Sequence, residues 1–540
     1  MATAYAEASR FADLREMLEC SAMRFGTCVA IHEKKQGFYQ HISYGRLFEE
    51  AEALGTAFDA LFPNRPCVLL VGKSSYPQTL AFLALLCGAG VPVVASASAD
   101  AAEIAALATR FGVGAVLCDE DLRDRVAALT VPVLTFGDLA PLIQQGREAL
   151  ENGEYTVFEN PIDRAAVAAR FPTRGEEIAL SHEDMVGTVQ ALAAAYDVEP
   201  KDTFLSVLPP SAHEVLLGLL FPLSVGASVA FAEGVHTLMR NMREIHPTHV
   251  VAVPYLAERM LEKFWSLAAG REREIRRIIA ATDPVRPLSA RQALKTRLLA
   301  SARAPFGGAL RCLLSVGAPL PAMLAKSLRQ IGIFAASIYG VAQCGTLGAM
   351  NTPSAYCDGA AGKVQGDAVE LINLQPDGSG EIVLKRAECT YKTGDRGRMD
   401  ENGFLHVVGK SAQALVLGDG TVASPEEMEQ MLAQSPLVRA ATVVGLPTPE
   451  GVEPAAMLWP DAEALDGILG ENYTLDELEQ AVGEWLASVN EGLPERARIA
   501  VFALCDTEQP RTPEGAISRE AVAAMLLAAA QNEESENNEE

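Results

Sequence analysis

The chain has 540 residues, 49% hydrophobic and 6% aromatic, with 44 Lys and Arg against 70 Asp and Glu, a formal net charge of −26. That length and apolar content suffice for at least one large core. So acidic a balance, with no long basic run, argues against nucleic acid or an anionic membrane surface as partner.

From the amino terminus, MATAYAEASRFADLREM lacks the basic-then-apolar order of a signal peptide, and the apolar runs are broken by Gly, Pro or charge before bilayer length. The ten cysteines stand singly, with no CxxC pair to suggest zinc or a redox couple, and read as reduced core residues. A cytoplasmic protein without a membrane span is expected. CVLLVG after Pro66 reads as a buried strand, SYPQTLAFLALLCGAG as a helix closed by glycines, VPVVAS as a strand, AAEIAALATRFG as a helix and VGAVLCDE as a third strand. This is the βαβ rhythm of a parallel sheet. It resumes with DTFLSVLPP, the helix HEVLLGLLFPLSVG, ASVAFAEG, the helix HTLMRNMREIHP and THVVAVP, which predicts a second α/β layer. Residues 269–304 are Arg-rich and are expected to form solvated helices. After Gly380 the texture changes to short strands, EIVLK and FLHVVGK, and then to a compact α/β segment from about 410 to 525. The acidic QNEESENNEE at the end is expected to be disordered.

Residues 391–410, YKTGDRGRMDENGFLHVVGK, resemble the YxTGDxGxxDxDGxLxxxGR signature of adenylate-forming enzymes, the AMP-binding superfamily of acyl-CoA synthetases, peptide-synthetase adenylation domains and luciferases. Further matches follow in the family's order, at 205–231, 250–261, 310–324, 338–340, 424–432 and 510–519, and the long-chain fatty acyl-CoA synthetase branch is the most similar. The resemblance implies an α/β fold with a large AMP-binding-like domain over 1–408 and a small mobile α/β carboxy-terminal domain over 409–526, followed by a disordered acidic tail, 527–540. It also implies the chemistry. A carboxylate attacks the α-phosphate of MgATP, giving an acyl-adenylate and pyrophosphate, and a thiol then takes the acyl group. Charge accumulates on phosphoryl oxygens, so catalysis depends on positioned cations and backbone donors.

Carried over position by position, Asp395 matches the carboxylate that accepts both ribose hydroxyls, a role suited to two acceptor oxygens. Tyr339 matches the aromatic residue against adenine, and Gly317 and Ala318 match the loop beneath the base. Lys410 stands where the family has an arginine, keeping the charge without the planar fork. His213 and Glu214 fall on the helix that faces the acyl pocket.

Four departures accompany these matches. The family loop TSGTTGxPKG, which holds the β- and γ-phosphates, is replaced by ARFPTRGEEIAL before Ser181 and His182. If Thr173 and its TRG are the relic of TTG, three residues are missing; aligned without a gap, the lysine is Glu176. Either way, Glu176 and Glu177 sit where a polyphosphate needs cations. The threonine and Mg²⁺-binding glutamate of YGxTE become Ala342 and Gln343. The lysine of the carboxy-terminal PxTxxGKxxR is Ala516, and the hinge Asp or Lys is missing at Ser411–Ala412. No metal ligand is assigned, and the Mg²⁺ site is weakened. AMP or ATP and CoA remain the expected cofactors.

Losing one positioned donor costs ~10²–10³ in rate, and groups acting as a unit do not add. Three functions therefore stay open. One is a catalytically silent protein that binds an acyl chain, a nucleotide or a sister acyl-CoA synthetase. Another is an active fatty acid–CoA or acyl-carrier-protein ligase that uses Arg174 and Lys410. The third is an enzyme of the thiol-transfer half alone, served by His213 and Glu214.

Overall fold

A computed structural model describes residues 11–537, apart from residues 63, 154, 173–176, 235–236, 342–344, 376–377, 387–388, 411–414, 418–421, 436, 449–450, 470–472, 494–496, 508 and 512–516. The chain divides into two compact units. The first comprises Met1–Glu370, Leu384–Tyr391 and Glu401–Leu405; the second comprises Leu371–Val383, Lys392–Asp400 and His406–Glu540.

The strands of the first unit, in chain order, begin with β1 (Val29–Lys35), β2 (Phe38–Ser43), β3 (Cys67–Gly72), β4 (Val91–Ser96), β5 (Ala115–Cys118) and β6 (Val133–Thr135). They continue with β7 (Val167–Pro172), β8 (Glu177–Ser181), β9 (Thr203–Ser206), β10 (Ser228–Phe231), β11 (His249–Ala252), β12 (Cys312–Ser315) and β13 (Phe334–Tyr339). One sheet has the order β6-β5-β3-β4-β7-β8, parallel throughout except for the β7–β8 hairpin. The other sheet, thirteen-stranded, includes the run β13-β12-β11-β9-β10-β1-β2, parallel from β13 to β1, with antiparallel β2 at one edge. Both α/β layers read from the sequence are therefore present.

The unbroken apolar run of β3 has a physical cause, because Val68 to Gly72 are all buried. Strand side chains alternate in direction, so Val68 and Leu70 enter one core with Ala115 and Leu117, while Leu69 and Val71 enter another with Val93 and Val116. A parallel sheet covered on both faces has no polar side to show. The helix after β3, Tyr76–Ala84, starts where the Ser75 side chain accepts the Gln78 N–H, a typical N-cap. The helix after β9 differs from an ordinary amphipathic one, since Glu214–Leu220 winds as a π-helix before an α-turn at Phe221–Ser224. Wide turns of this kind occur mostly as short insertions, frequently at functional sites.

The Arg-rich region forms the helices Glu272–Thr282 and Leu288–Leu298. Their solvated character is only partial. Arg273 and Arg277 are exposed, but Lys295 is buried with its Nζ 2.6 Å from Asp283, and buried Arg303 donates to the carbonyls of Ile331, at 2.8 Å, and Leu310. These two cations tie chain segments together.

The second unit contains a three-stranded sheet, Val438–Thr448 antiparallel to Gly451–Pro460, with Val501–Leu504 parallel to the latter. Its core joins Val443 and Leu458 to Leu432 and Val482 of the helices Pro425–Leu432 and Leu475–Glu491. Arg519, the arginine of PRTPEGAISR, pairs with Glu429 and with Glu426 at 3.2 Å and donates to the Val443 carbonyl at 2.7 Å. Removing one partner of such a partly buried network leaves charge uncompensated, so this arginine has a structural role. The last helix, Arg519–Asn537, carries the backbone of the acidic tail as far as Asn537, where the composition had suggested disorder.

Candidate nucleotide and acyl site

In the first unit the residues matched to adenine binding lie at the carboxyl ends of neighbouring parallel strands, the edge at which open α/β sheets take ligands. β12 and β13 pair Ser315 with Ser337, so Gly317, two residues beyond β12, and Tyr339, the last residue of β13, leave the same sheet edge side by side. Gly317 has φ +84° and Gly340 φ +105°, conformations that glycine adopts without strain. At Gly340 a Cβ would also lie 2.6 Å from the Gly348 nitrogen, so only glycine lets these backbones approach. Two buried hydroxyls at strand ends, Ser206 Oγ on β9 and Ser315 Oγ on β12, have no hydrogen-bond partner.

The segment standing in place of the phosphate loop connects β7 to β8. Thr173, Arg174 and Glu176 lie outside the described residues; Glu177 is described and pairs with Arg170 across the hairpin. The cation three residues before that segment is thus already engaged by a carboxylate. Ser181 caps the following helix, His182–Ala195, in a capping box with Asp184. His182, only 4% exposed, accepts the Leu14 N–H at Nδ1 (3.2 Å). Burial lowers its pKa, against the opposing effects of Asp13 and a hydrogen bond to the Leu86 backbone. The serine–histidine step therefore starts a helix and fastens the amino-terminal segment.

In the second unit Asp395 is buried, its N–H donates to Thr393 Oγ1 at 3.1 Å, and Lys410 Nζ stands 3.8 Å from its Oδ1. The lysine is largely exposed, so the pair alone adds little to stability. It does place an exposed cation beside the carboxylate matched to the ribose. Ala342, Gln343, Ser411 and Ala516 lie outside the described residues.

Glu214 opens the π-helix and is 4% exposed, and neither carboxylate oxygen has a hydrogen-bond partner. Burial pushes its pKa up to about 8; the Ser206 hydroxyl beside it opposes that shift without closing a hydrogen bond of normal geometry. The carboxylate folds back over Gly218, where an added Cβ would lie 2.5 Å from Oε1. Glu214 lines a pocket with Gln78, Phe82, Val94, Ser206 and Phe231, offering about 30 Å³ to the centre of a water-sized molecule. His213 is not among the lining residues. It keeps some solvent contact, but the surrounding protein lowers its pKa to about 4, leaving a neutral imidazole at pH 7. Sequence reasoning missed Gln78 and Ser206. The available signal was a glutamine in the apolar helix SYPQTLAFLALL.

Two family models match, the AMP-binding enzyme model over residues 177–390 and the AMP-binding enzyme C-terminal domain model over 412–529. The chain belongs to this family of adenylate-forming enzymes. Among its relatives, the long-chain-fatty-acid–CoA ligase ACSBG1 of Bos taurus is 23% identical over 499 residues, 80% of this chain and 68% of that one. The long-chain-fatty-acid–CoA ligase FadD15 of Mycobacterium tuberculosis is 30% identical over 276 residues, 44% of each chain. The crystal structure of the anthranilate CoA ligase AuaEII in complex with anthranoyl-AMP superposes with a TM-score of 0.72 at 17% identity, covering 96% of this chain and 98% of that one. The large and small α/β parts are thus the adenylate-forming fold. No described helix is long and apolar enough to cross a membrane.

Proposed function

We propose that the chain is an acyl-CoA-synthetase-like protein with impaired adenylation, which keeps a site for an acyl ligand, an adenylate or a sister enzyme. One observation carries this reading: each position matched to polyphosphate or metal binding has lost the group that chemistry needs. The loop lysine is either missing or, aligned without a gap, Glu176; Ala342 and Gln343 replace the threonine and glutamate, and Ala516 replaces the second lysine. The Arg170–Glu177 pair adds to it, since it occupies the described cation flanking the loop. On this reading Tyr339, Gly317 and Ala318 are matched to adenine and Asp395 to the ribose, and Thr173 belongs to the alternative alignment in which TRG is the relic of TTG. The boundary at residues 408–409 separates the large domain from a mobile small one. A working ligase with a rearranged phosphate site is the second reading, and the exposed Lys410 beside Asp395 is what favours it.

The first reading has a consequence for nucleotide preference. Each added phosphate brings negative charge into a site poor in cations and next to two glutamates. AMP is expected to bind at least as tightly as MgATP in calorimetric titration at low salt, with any AMP advantage narrowing as salt screens the repulsion. A clear preference for MgATP at low salt contradicts the reading.

A further inference from the structure

Eight buried side-chain polar atoms among the described residues have no hydrogen-bond partner. Four of them belong to the lining of the one small pocket beside Glu214: Gln78 Nε2, Ser206 Oγ and both Glu214 oxygens. These groups come from three separate elements, the helix Tyr76–Ala84, strand β9 and the π-helix Glu214–Leu220. Between them stand the apolar side chains of Leu70, Phe82, Val94, Val215, Leu219 and Phe231. Leaving a buried polar group unmatched costs about 1–3 kcal/mol. A cluster of four around a single cavity calls for a polar occupant, a water or a ligand group of matching polarity.

The donor and acceptor inventory narrows that ligand. Gln78 offers N–H donors, Ser206 can give or accept, and Glu214 in its uncharged form offers one O–H donor and an acceptor oxygen. A group that both donates and accepts satisfies all three; a methyl satisfies none. Glu214 is the only titratable side chain lining the pocket. Burial favours its uncharged form, so at neutral pH the pocket is a neutral hydrogen-bonding site rather than a counter-charge for an ammonium group. The space of about 30 Å³ open to the centre of a water-sized molecule has room for a small polar group such as a hydroxyl beside these polar atoms, which suits the end of a ligand.

We infer that Glu214, Gln78 and Ser206 bind a hydroxyl group at the distal end of the acyl ligand, making the chain selective for hydroxylated over unsubstituted acyl chains. The inference rests on the proposal that the chain binds an acyl ligand at all. It adds to that proposal a chemical class and three specificity-determining residues.

Binding, not turnover, tests it. The full chain is titrated calorimetrically with a ladder of straight-chain carboxylic acids of increasing length, each beside its terminally hydroxylated counterpart, with AMP present. At the chain length that reaches the pocket, the hydroxylated acid is expected to bind about 10–100-fold more tightly, the worth of a buried hydrogen-bonding group left unmatched by its analogue. Glu214→Gln, which keeps a donor and an acceptor, retains the preference. Glu214→Leu and, independently, Gln78→Leu lose it while still binding the unsubstituted acid, with thermal unfolding confirming that each variant is folded. If hydroxylated and unsubstituted acids bind alike to the unaltered chain at every length, water fills the pocket and the hydroxyl inference falls while the acyl reading stands. A preference that survives in both leucine variants also overturns it. If no acid of either series binds, the acyl-ligand proposal itself fails and the inference falls with it.

Discussion

Ala516→Lys alone is expected to leave carboxylate-dependent ATP–pyrophosphate exchange at background, whereas restoring every missing group together raises it by about 10²-fold or more. The full restoration combines Ala516→Lys, Ala342→Thr and Gln343→Glu with a TSGTTGKPKG graft. These groups surround one triphosphate and act as a unit, so a lysine delivered to a site without loop or metal ligand stabilises no transition state. The fold also says where the graft belongs. Phe171 is buried, 6.5 Å centroid to centroid from Phe82, so replacing it would open a core cavity. Substituting residues 173–177 keeps that ring, and losing Glu177 frees the Arg170 guanidinium. Full family-like rates are not expected, because the Asp or Lys that the family has at its interdomain hinge is missing at Ser411–Ala412. Robust exchange from Ala516→Lys alone would mean that the loop between β7 and β8 binds phosphate as it stands.

A second large effect concerns pH and Glu214. Its folded pKa of about 8 lies above the ordinary 4.5. Below pH 4.5 the carboxyl is protonated in folded and unfolded chains alike. Between 4.5 and about 8 the unfolded chain releases the proton and the folded chain retains it, so this group's contribution to stability falls as pH rises. Above about 8 the loss is complete, with an upper bound of about 5 kcal/mol from 1.36 kcal/mol per unit. Glu214→Gln is uncharged throughout. In urea unfolding at a series of pH values it is expected to match the parent near pH 4.5 and to exceed it increasingly up to about pH 8. Parallel curves for parent and variant across that range would show that Glu214 is not buried in a low-dielectric pocket.

The layered α/β core was legible because its cause is local. A strand buried on both faces must be apolar at every position, as Val68–Val71 is, and helices between such strands announce themselves by period and by caps such as Ser75. The family was legible as well, through the long signature around Asp395, and the AMP-binding enzyme models match the chain on both sides of it. The sequence did not show the meaning of the polar exceptions. Gln78 and Glu214 are 136 residues apart in number, and nothing local to either says that they line one pocket. His182 was legible only as a position of the family pattern, and its contacts with Leu14 and Leu86 give it an anchoring role. The π-helical winding at Glu214–Leu220 follows the same apolar pattern as an ordinary helix, so composition alone could not distinguish it. Lys295 and Arg303 belong to a charge run whose wet character holds for its neighbours and fails for them, because Asp283 and the Arg329 carbonyl engage the first and the Ile331 carbonyl the second.

The most direct test of the central claim is ATP–pyrophosphate exchange by the unaltered chain, assayed with Mg²⁺ and a broad panel of short, long, aromatic and hydroxylated carboxylic acids. The account predicts exchange indistinguishable from a no-acid control for every acid, including any that calorimetry shows to bind. Exchange above that control with even one acid would contradict it, and the departures at Glu176, Ala342, Gln343 and Ala516 would then mark a rearranged phosphate site in a working ligase.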